Sequence, residues 1–161
     1  MKIKHVVIGL VTLFILGFGY YAISPLFTHI RVDEALPQQK VMGEQGNQSG
    51  TSAQEKQIEP IISKVIGTTG HPASGTVRVI EAGEKKYVRY ENFNTINGPD
   101  IYVYLSKDLS AKEFVSLRKV KATEGNLNYE IPPDTDLSEY HYVLTWCKQF
   151  GVLFNSADLL Q

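Results

Sequence analysis

The sequence has little cysteine and no excess of charge of either sign. Cys147 is the one cysteine among 161 residues, which excludes an intrachain disulfide, a four-cysteine zinc site and a CxxC redox pair. Sixteen lysines and arginines against seventeen aspartates and glutamates give a net charge of -1, so no strong field gathers nucleic acid. We therefore expect no nucleic-acid partner, and any thiol chemistry must come from one sulfur atom.

Signatures of the common enzyme classes are missing as well. The sequence contains no dinucleotide-binding fingerprint, no P-loop and no GxSxG nucleophile elbow. Serine, histidine and aspartate occur, but no local arrangement of them singles out a catalytic triad. We expect no conventional catalytic constellation, so an enzyme with a conventional substrate is a distant alternative.

One long apolar run dominates the N-terminus. Residues 6–28 contain no Lys, Arg, Asp, Glu or His, and about 20 helical residues cover the hydrocarbon core of a bilayer. Lys2 and Lys4 precede the run, so the positive-inside rule places the N-terminus in the cytoplasm. We expect residues 1–28 to be a cytoplasmic N-terminus and a single-pass anchor in the cell membrane, with the remaining chain extracytoplasmic.

A cleaved signal peptide is the competing interpretation of this run. Its apolar core is normally shorter, about 7 to 15 residues, and small residues precede its cleavage site. Ala22-Ile23-Ser24 is the one near match, and Pro25 follows it directly. The uncleaved transmembrane helix is therefore favoured.

The segment after the anchor is polar. Residues 38–57 contain three apolar side chains, Val41, Met42 and Ala53, too few to offset the entropy lost on ordering. We expect residues 29–60 to be a flexible polar linker that holds the domain about 25 Å from the membrane. Asn47-Gln48-Ser49 is a glycosylation sequon, which is used only in cells with the required machinery.

Residues 61–161 alternate short apolar and aromatic runs with turn residues. Such runs occur at 76–80, 86–93, 101–105, 127–131, 140–147 and 152–154. Ala82-Gly83-Glu84 predicts a hairpin between the first two, and Ser110-Ala111-Lys112-Glu113 fits a capping box that predicts one short helix at Ser110. The pattern therefore predicts a mainly β domain, an antiparallel sandwich or barrel-like fold with one short helix.

Cys147 ends the longest of these runs. Strand alternation places it on the same face as His141, but six residues separate the two by about 20 Å, so they cannot share a metal ion. His71, in the turn Thr69-Gly70-His71-Pro72, is the histidine best placed to come from another strand. A lone cysteine is also commonly a buried structural residue, whereas a bare thiol outside the cytoplasm is exposed to oxidants. Both interpretations stay open.

Six segments in series resemble the DM-thirteen (DM13) domain. They are GHPASGTV at 70–77, YENF at 90–93, GPDIYVYL at 98–105, GNLNYEIP at 125–132, WCKQF at 146–150 and FNSA at 154–157. That family is an extracytoplasmic β module that often stands beside DOMON domains and is labelled an electron-transfer domain. The resemblance covers roughly residues 65 to 160.

The resemblance implies a redox role centred on Trp146-Cys147, which matches the family's signature position. The redox group would be a bare thiol or a prosthetic group such as haem or another metal cofactor. Cys147 takes the redox or ligand position, and His71 matches the family's early histidine, which is either a second ligand or a turn residue. No DOMON domain accompanies the match, so we expect a separate redox partner protein.

Two hypotheses follow. The first is a membrane-anchored extracytoplasmic module that takes part in electron transfer through Cys147 or through a cofactor bound to it. The alternative is a non-catalytic ligand-binding or protein-binding module in which Cys147 is structural. In that case the aromatic residues Trp146, Tyr102 and Tyr104 would form the binding face.

Overall fold

A computed structural model describes residues 2–37 and 62–161, so most of the expected linker and the Asn47 sequon lie outside the described residues. Over these two ranges the chain forms one α-helix, one 3₁₀ turn and ten strands. The helix is α1 (Lys2–Ile23) and the 3₁₀ turn is Ser24–Phe27. The strands are β1 (Arg31–Asp33), β2 (Ser63–Lys64), β3 (Ile66–Gly67), β4 (Ala73–Ala82), β5 (Lys85–Thr95), β6 (Ile101–Ser106), β7 (Phe114–Lys119), β8 (Glu124–Ile131), β9 (Tyr142–Cys147) and β10 (Val152–Asp158).

The strands form two five-stranded sheets within the described residues. Sheet A has the order β1-β8-β5-β4-β2, and sheet B has the order β3-β10-β9-β6-β7. Each named pair is antiparallel except β1 with β8. The core contains side chains of both sheets, including Val88 and Tyr90 of sheet A and Leu105 and Val143 of sheet B. The prediction of a mainly β, antiparallel sandwich is confirmed.

Helix α1 carries the long apolar run. Its segment Ile3–Ile23 is long and apolar enough to cross a membrane, and none of that window is buried against the rest of the protein. A signal sequence near the N-terminus can also be long and apolar enough to meet this description. The helix ends at Ile23, because Pro25 lies in the first turn of the following 3₁₀ segment and cannot continue an α-helix.

The linker expected over residues 29–60 needs a correction at its start. Residues 31–33 form β1, which pairs in parallel with the start of β8. The Asp33 carboxylate accepts hydrogen bonds from the backbone and side-chain nitrogens of Asn126, at 3.1 and 2.9 Å. Sequence patterning misses a three-residue edge strand of this kind because it buries little apolar surface and is fixed by polar contacts.

The prediction of a short helix at Ser110 is wrong, because a turn precedes strand β7 there. The Asp108 carboxylate accepts hydrogen bonds from the Ser110 backbone N–H at 2.7 Å and from its hydroxyl at 2.6 Å, which closes a turn. Ala111 then has a φ of 51°, a left-handed conformation that cannot begin an α-helix. The following residues pair with β6 as strand β7, where Leu117 reaches the core.

Candidate functional site

Cys147 is the last residue of β9 and faces the interior of the sandwich. Its neighbours across the sheet are Ile101 on β6 and Val152 on β10. It packs with Ile101 and Phe154 in a small apolar cluster separate from the main core. The side chain is 0% exposed, so the sulfur has no direct contact with bulk solvent.

His71 is held by a tight turn at the same end of the sandwich. Its backbone N–H donates to the Thr68 carbonyl at 2.9 Å, and the two residues form an isolated β-bridge. The imidazole stacks on the Phe154 ring with 4.1 Å between centroids. The ring that packs against Cys147 is therefore also the ring that positions His71.

The Thr68 hydroxyl sets the tautomer of His71. Thr68 Oγ1 lies 2.8 Å from the Leu153 carbonyl and 3.1 Å from the Phe154 carbonyl. Because its single hydrogen is shared between these two acceptors, we assign Thr68 Oγ1 as the acceptor from His71 Nδ1, 3.1 Å away. A neutral imidazole with a hydrogen on Nδ1 carries its free electron pair on Nε2. Nε2 is the ring atom that can accept a proton or bind a metal ion.

Cys147 and His71 line one cavity of about 250 Å³. The structure thus brings together the two residues that the sequence proposed as a pair, although they are far apart along the chain. The remaining lining residues are small or apolar and come from the end of α1, the loop before β6, and the turn and strand after β9: Ala22, Gly98, Pro99, Phe150, Val152 and Phe154.

Gly98 is required for this packing. A Cβ atom built on Gly98 would lie 2.9 Å from Cζ of Phe154, closer than two carbon atoms can pack without a clash. The sequence analysis included Gly98 and Phe154 in DM13-like segments but assigned neither to the site. The available signal was that these residues fall within the six DM13-like segments, four of which meet at the cavity.

The size and donor set of the cavity limit what it can hold. Pockets for drug-sized ligands usually enclose about 300–1,000 Å³, so a cavity of about 250 Å³ does not take up a haem unless its walls move. Among the residues that the structure describes, no group of three or more His, Cys, Asp or Glu side chains could hold a metal ion. A metal ion here would have Cys147 and His71 as its two protein donors, a thiolate and imidazole pair that suits copper.

The three aromatic residues proposed as a binding face differ in accessibility. Tyr102 and Trp146 are partly exposed cross-strand partners on sheet B. Tyr104 is 3% exposed because the Phe114 ring stacks on it with 4.1 Å between centroids. The pKa of Tyr104 is raised mainly by burial and further by the nearby Tyr102, Asp100 and Cys147. The accessible aromatic surface therefore includes Phe114, which the sequence did not suggest, and not Tyr104.

The end of α1 lies next to the cavity. The Tyr21 hydroxyl donates to Gln149 Oε1 at 3.0 Å, and Ala22 contributes to the cavity wall. Gln149 belongs to the turn between β9 and β10, two residues after Cys147. The site is therefore at the end of the sandwich closest to the helix.

Comparison with known proteins gives one family. The family model described as Electron transfer DM13 matches residues 65–159, a range that includes Cys147, His71 and Phe154. No curated protein and no solved structure matches the chain.

Proposed function

The chain belongs to the Electron transfer DM13 family, whose model covers more than half of it, and on that premise we propose that it is a membrane-anchored extracytoplasmic electron-transfer module. Cys147 is the redox group, either as a bare thiol or as a ligand of a small redox cofactor. His71 is the group that positions or deprotonates it. We propose that a separate protein supplies the electrons, and that the domain is an electron carrier rather than an enzyme.

The observation that carries this proposal is the shared cavity. Cys147 and His71 come from a strand end and a distant turn, yet both line the same small space. A cysteine that only filled the core would need no such neighbour. The family's electron-transfer description supports a redox role for the domain in general, and the shared cavity supports Cys147 and His71 as the residues that carry it.

The two side chains have complementary chemistry. A thiolate, rather than a thiol, is the nucleophile and the metal ligand, and Nε2 of His71 is a free acceptor because Thr68 occupies Nδ1. Transfer of the Cys147 proton to Nε2 would generate the thiolate without a bulk solvent route. The same two atoms would be the donors to a copper ion, since soft thiolate and imidazole ligands favour that metal.

The membrane part of the proposal is supported by α1. The helix has the length of a bilayer core, and Lys2 and Lys4 lie before it, which favours a cytoplasmic N-terminus. The C-terminal domain would then lie outside the cytoplasm.

Spectroscopy of the full chain purified from membranes tests the proposal. Absorbance spectra are recorded during oxidative and reductive titration, with and without added copper, and Cys147 is analysed by mass spectrometry. We expect either a thiolate-to-metal absorption band or reversible oxidation of Cys147. Whichever signal the wild-type protein gives should be absent from Cys147→Ser. The control Thr145→Ser should keep that signal, because Thr145 is equally buried on the same strand. A wild-type protein without either signal contradicts the proposal.

A second function is favoured by the burial of Cys147 together with the aromatic surface of sheet B. In this alternative the domain binds a ligand or protein through Tyr102, Trp146 and Phe114, and Cys147 is structural. The Lys148 ammonium lies 5.6 Å from the Tyr102 ring centroid, so this surface also carries positive charge. Binding that survives Cys147→Ser but is lost in Tyr102→Ala would favour this function.

A further inference from the structure

The turn between β9 and β10, Lys148–Gly151, carries exposed apolar surface next to the end of α1. Phe150 is 46% exposed and Val152, the first residue of β10, is 37% exposed. Phe150 and Val152 line the cavity together with Ala22 from the last turn of the helix. Exposed apolar residues that adjoin a membrane-spanning helix are candidates for contact with lipid.

The depth of this turn follows from the length of the helix. Twenty-two residues at about 1.5 Å each span about the 30 Å hydrocarbon core, so the last turn of α1 lies at its outer boundary. Tyr21 is in that last turn and donates a hydrogen bond to Gln149. Gln149 and the neighbouring Phe150 are therefore at the level of the lipid headgroups, where aromatic residues are enriched.

The chain between the helix and the domain is too short to move the turn far from this level. Asn97 Nδ2 donates to the Thr28 carbonyl at 3.2 Å, and the Ile30 carbonyl accepts from the Thr123 and Glu124 backbone N–H groups at 2.8 and 3.0 Å. Four of the intervening residues form the 3₁₀ turn, which rises about 2 Å per residue. The domain is thus fixed to the helix end within a few residues.

We propose that the β9–β10 turn rests in the outer interface of the bilayer, with Phe150 and Val152 against lipid, so that the mouth of the Cys147–His71 cavity lies at the membrane surface. This rests on the membrane anchoring in the proposed function. Lipid, rather than a protein partner, is expected to cover the turn because its exposed apolar residues continue the apolar surface of α1. Lys148 beside them has an aliphatic stem that can lie along apolar surface while its ammonium group stays at the level of the headgroups.

Lipid quenching in nanodiscs tests this placement. The full chain with Cys147→Ala receives one new cysteine, labelled with a polarity-sensitive fluorophore, at Phe150→Cys, at Leu13→Cys inside the helix, or at Asp134→Cys. Asp134 is exposed in the loop that leads into the opposite end of β9. With phospholipids brominated on their acyl chains, we expect the labels at 150 and 13 to lose most of their emission and the label at 134 to keep it.

Each outcome is distinct. A label at 150 that behaves like the label at 134, while the label at 13 is quenched, overturns the docking of the turn and leaves the anchor intact. Loss of quenching at 13 contradicts the anchoring itself. A label at 150 with blue-shifted emission but no quenching by brominated lipid shows that protein, such as a second copy, covers the turn and overturns the inference. Val152→Cys provides a second position if Phe150→Cys fails to fold.

Discussion

At the scale of the residue, Cys147 combines two properties that usually exclude each other. It is fully buried among apolar neighbours, as a structural cysteine would be, and yet it forms part of a cavity wall beside an imidazole. A macromolecular partner cannot reach such a sulfur directly. A small reactant or a metal ion can, provided that it enters the cavity.

Burial predicts the stability of Cys147 variants. Cys147→Ala removes the sulfur from the apolar cluster and should lower the free energy of unfolding by about 1–2 kcal/mol. Cys147→Ser leaves a hydroxyl without a partner among apolar groups, which adds about 1–3 kcal/mol of cost. Urea unfolding of the full chain in detergent, followed by the fluorescence of its one tryptophan, Trp146, measures both values. Ser116→Ala, on the exposed surface of β7, is the control. If Cys147→Ser is as stable as the wild-type protein, apolar packing around the sulfur is contradicted.

At the scale of the element, strand β1 joins the helix to the sandwich. Its parallel pairing with β8 brings the Val32 carbonyl against Gly125, which has a φ of 108°. A Cβ atom on Gly125 would collide with that carbonyl. Glycine is therefore needed at this position for close approach of the two backbones as well as for its conformation.

Alanine at Gly125 should detach β1 from β8. Gly83→Ala is the matched control, because Gly83 also has positive φ, 65°, but nothing lies within 4 Å of the position that its Cβ would take. Both variants should lose about 1–2 kcal/mol from backbone strain, and Gly125→Ala should lose more. Hydrogen exchange of the Glu34 amide, which donates to the Asn126 carbonyl at 2.8 Å, should accelerate only in Gly125→Ala. Equal protection of this amide in the two variants would contradict the role assigned to β1.

Sequence patterning predicted the elements that bury apolar surface. The hairpin of β4 and β5 and the strands β6, β8, β9 and β10 were predicted because their side chains alternate or form apolar runs bounded by turns. The helix at Ser110 failed because a capping box describes a local hydrogen-bond pattern, and Asp108 satisfies the Ser110 amide in another way. Strand β1 was missed because its partners are distant in sequence.

The sequence indicated two residues of the candidate site but not their surroundings. Cys147 was singled out because a bare thiol outside the cytoplasm is exposed to oxidants, and His71 because of the family resemblance. Both residues line the cavity. The contributions of Phe154, Gly98 and Ala22 depend on how two loops and the helix end meet in three dimensions. Alternation along one strand carries no information about such packing.

At the scale of the whole molecule, the domain is close to the end of α1 rather than at the end of a long tether. Pro37 and Ile62 are the described residues on either side of 38–61. Pro37 lies four residues after β1 and Ile62 directly before β2, and both strands belong to sheet A. The separation between helix and domain is therefore set by residues 24–30. The expected distance of about 25 Å for a flexible linker does not apply to this connection.

This arrangement places the Cys147–His71 cavity and the helix end together. An electron-transfer partner within the membrane would meet the domain at its cavity end, and the aromatic surface of sheet B would remain for other contacts. The proposed electron-transfer function requires that Cys147 reacts inside the cavity with assistance from His71.

The rate of Cys147 oxidation by hydrogen peroxide tests that claim most directly. In this reaction the thiol proton passes to His71 Nε2, the sulfur attacks one peroxide oxygen, the O–O bond breaks, and the leaving hydroxide takes the proton to form water and a sulfenic acid. The full chain in nanodiscs is compared with His71→Gln and with the control His141→Gln, whose histidine pairs with Asp158 at the other end of β9, 2.8 Å away. Mass spectrometry of Cys147 gives the second-order rate constant. We predict a rate about 100-fold lower in His71→Gln, as for loss of a positioned general base, and an unchanged rate in His141→Gln. Equal rates in wild type and His71→Gln, or a sulfur oxidised only after denaturation, would contradict the account.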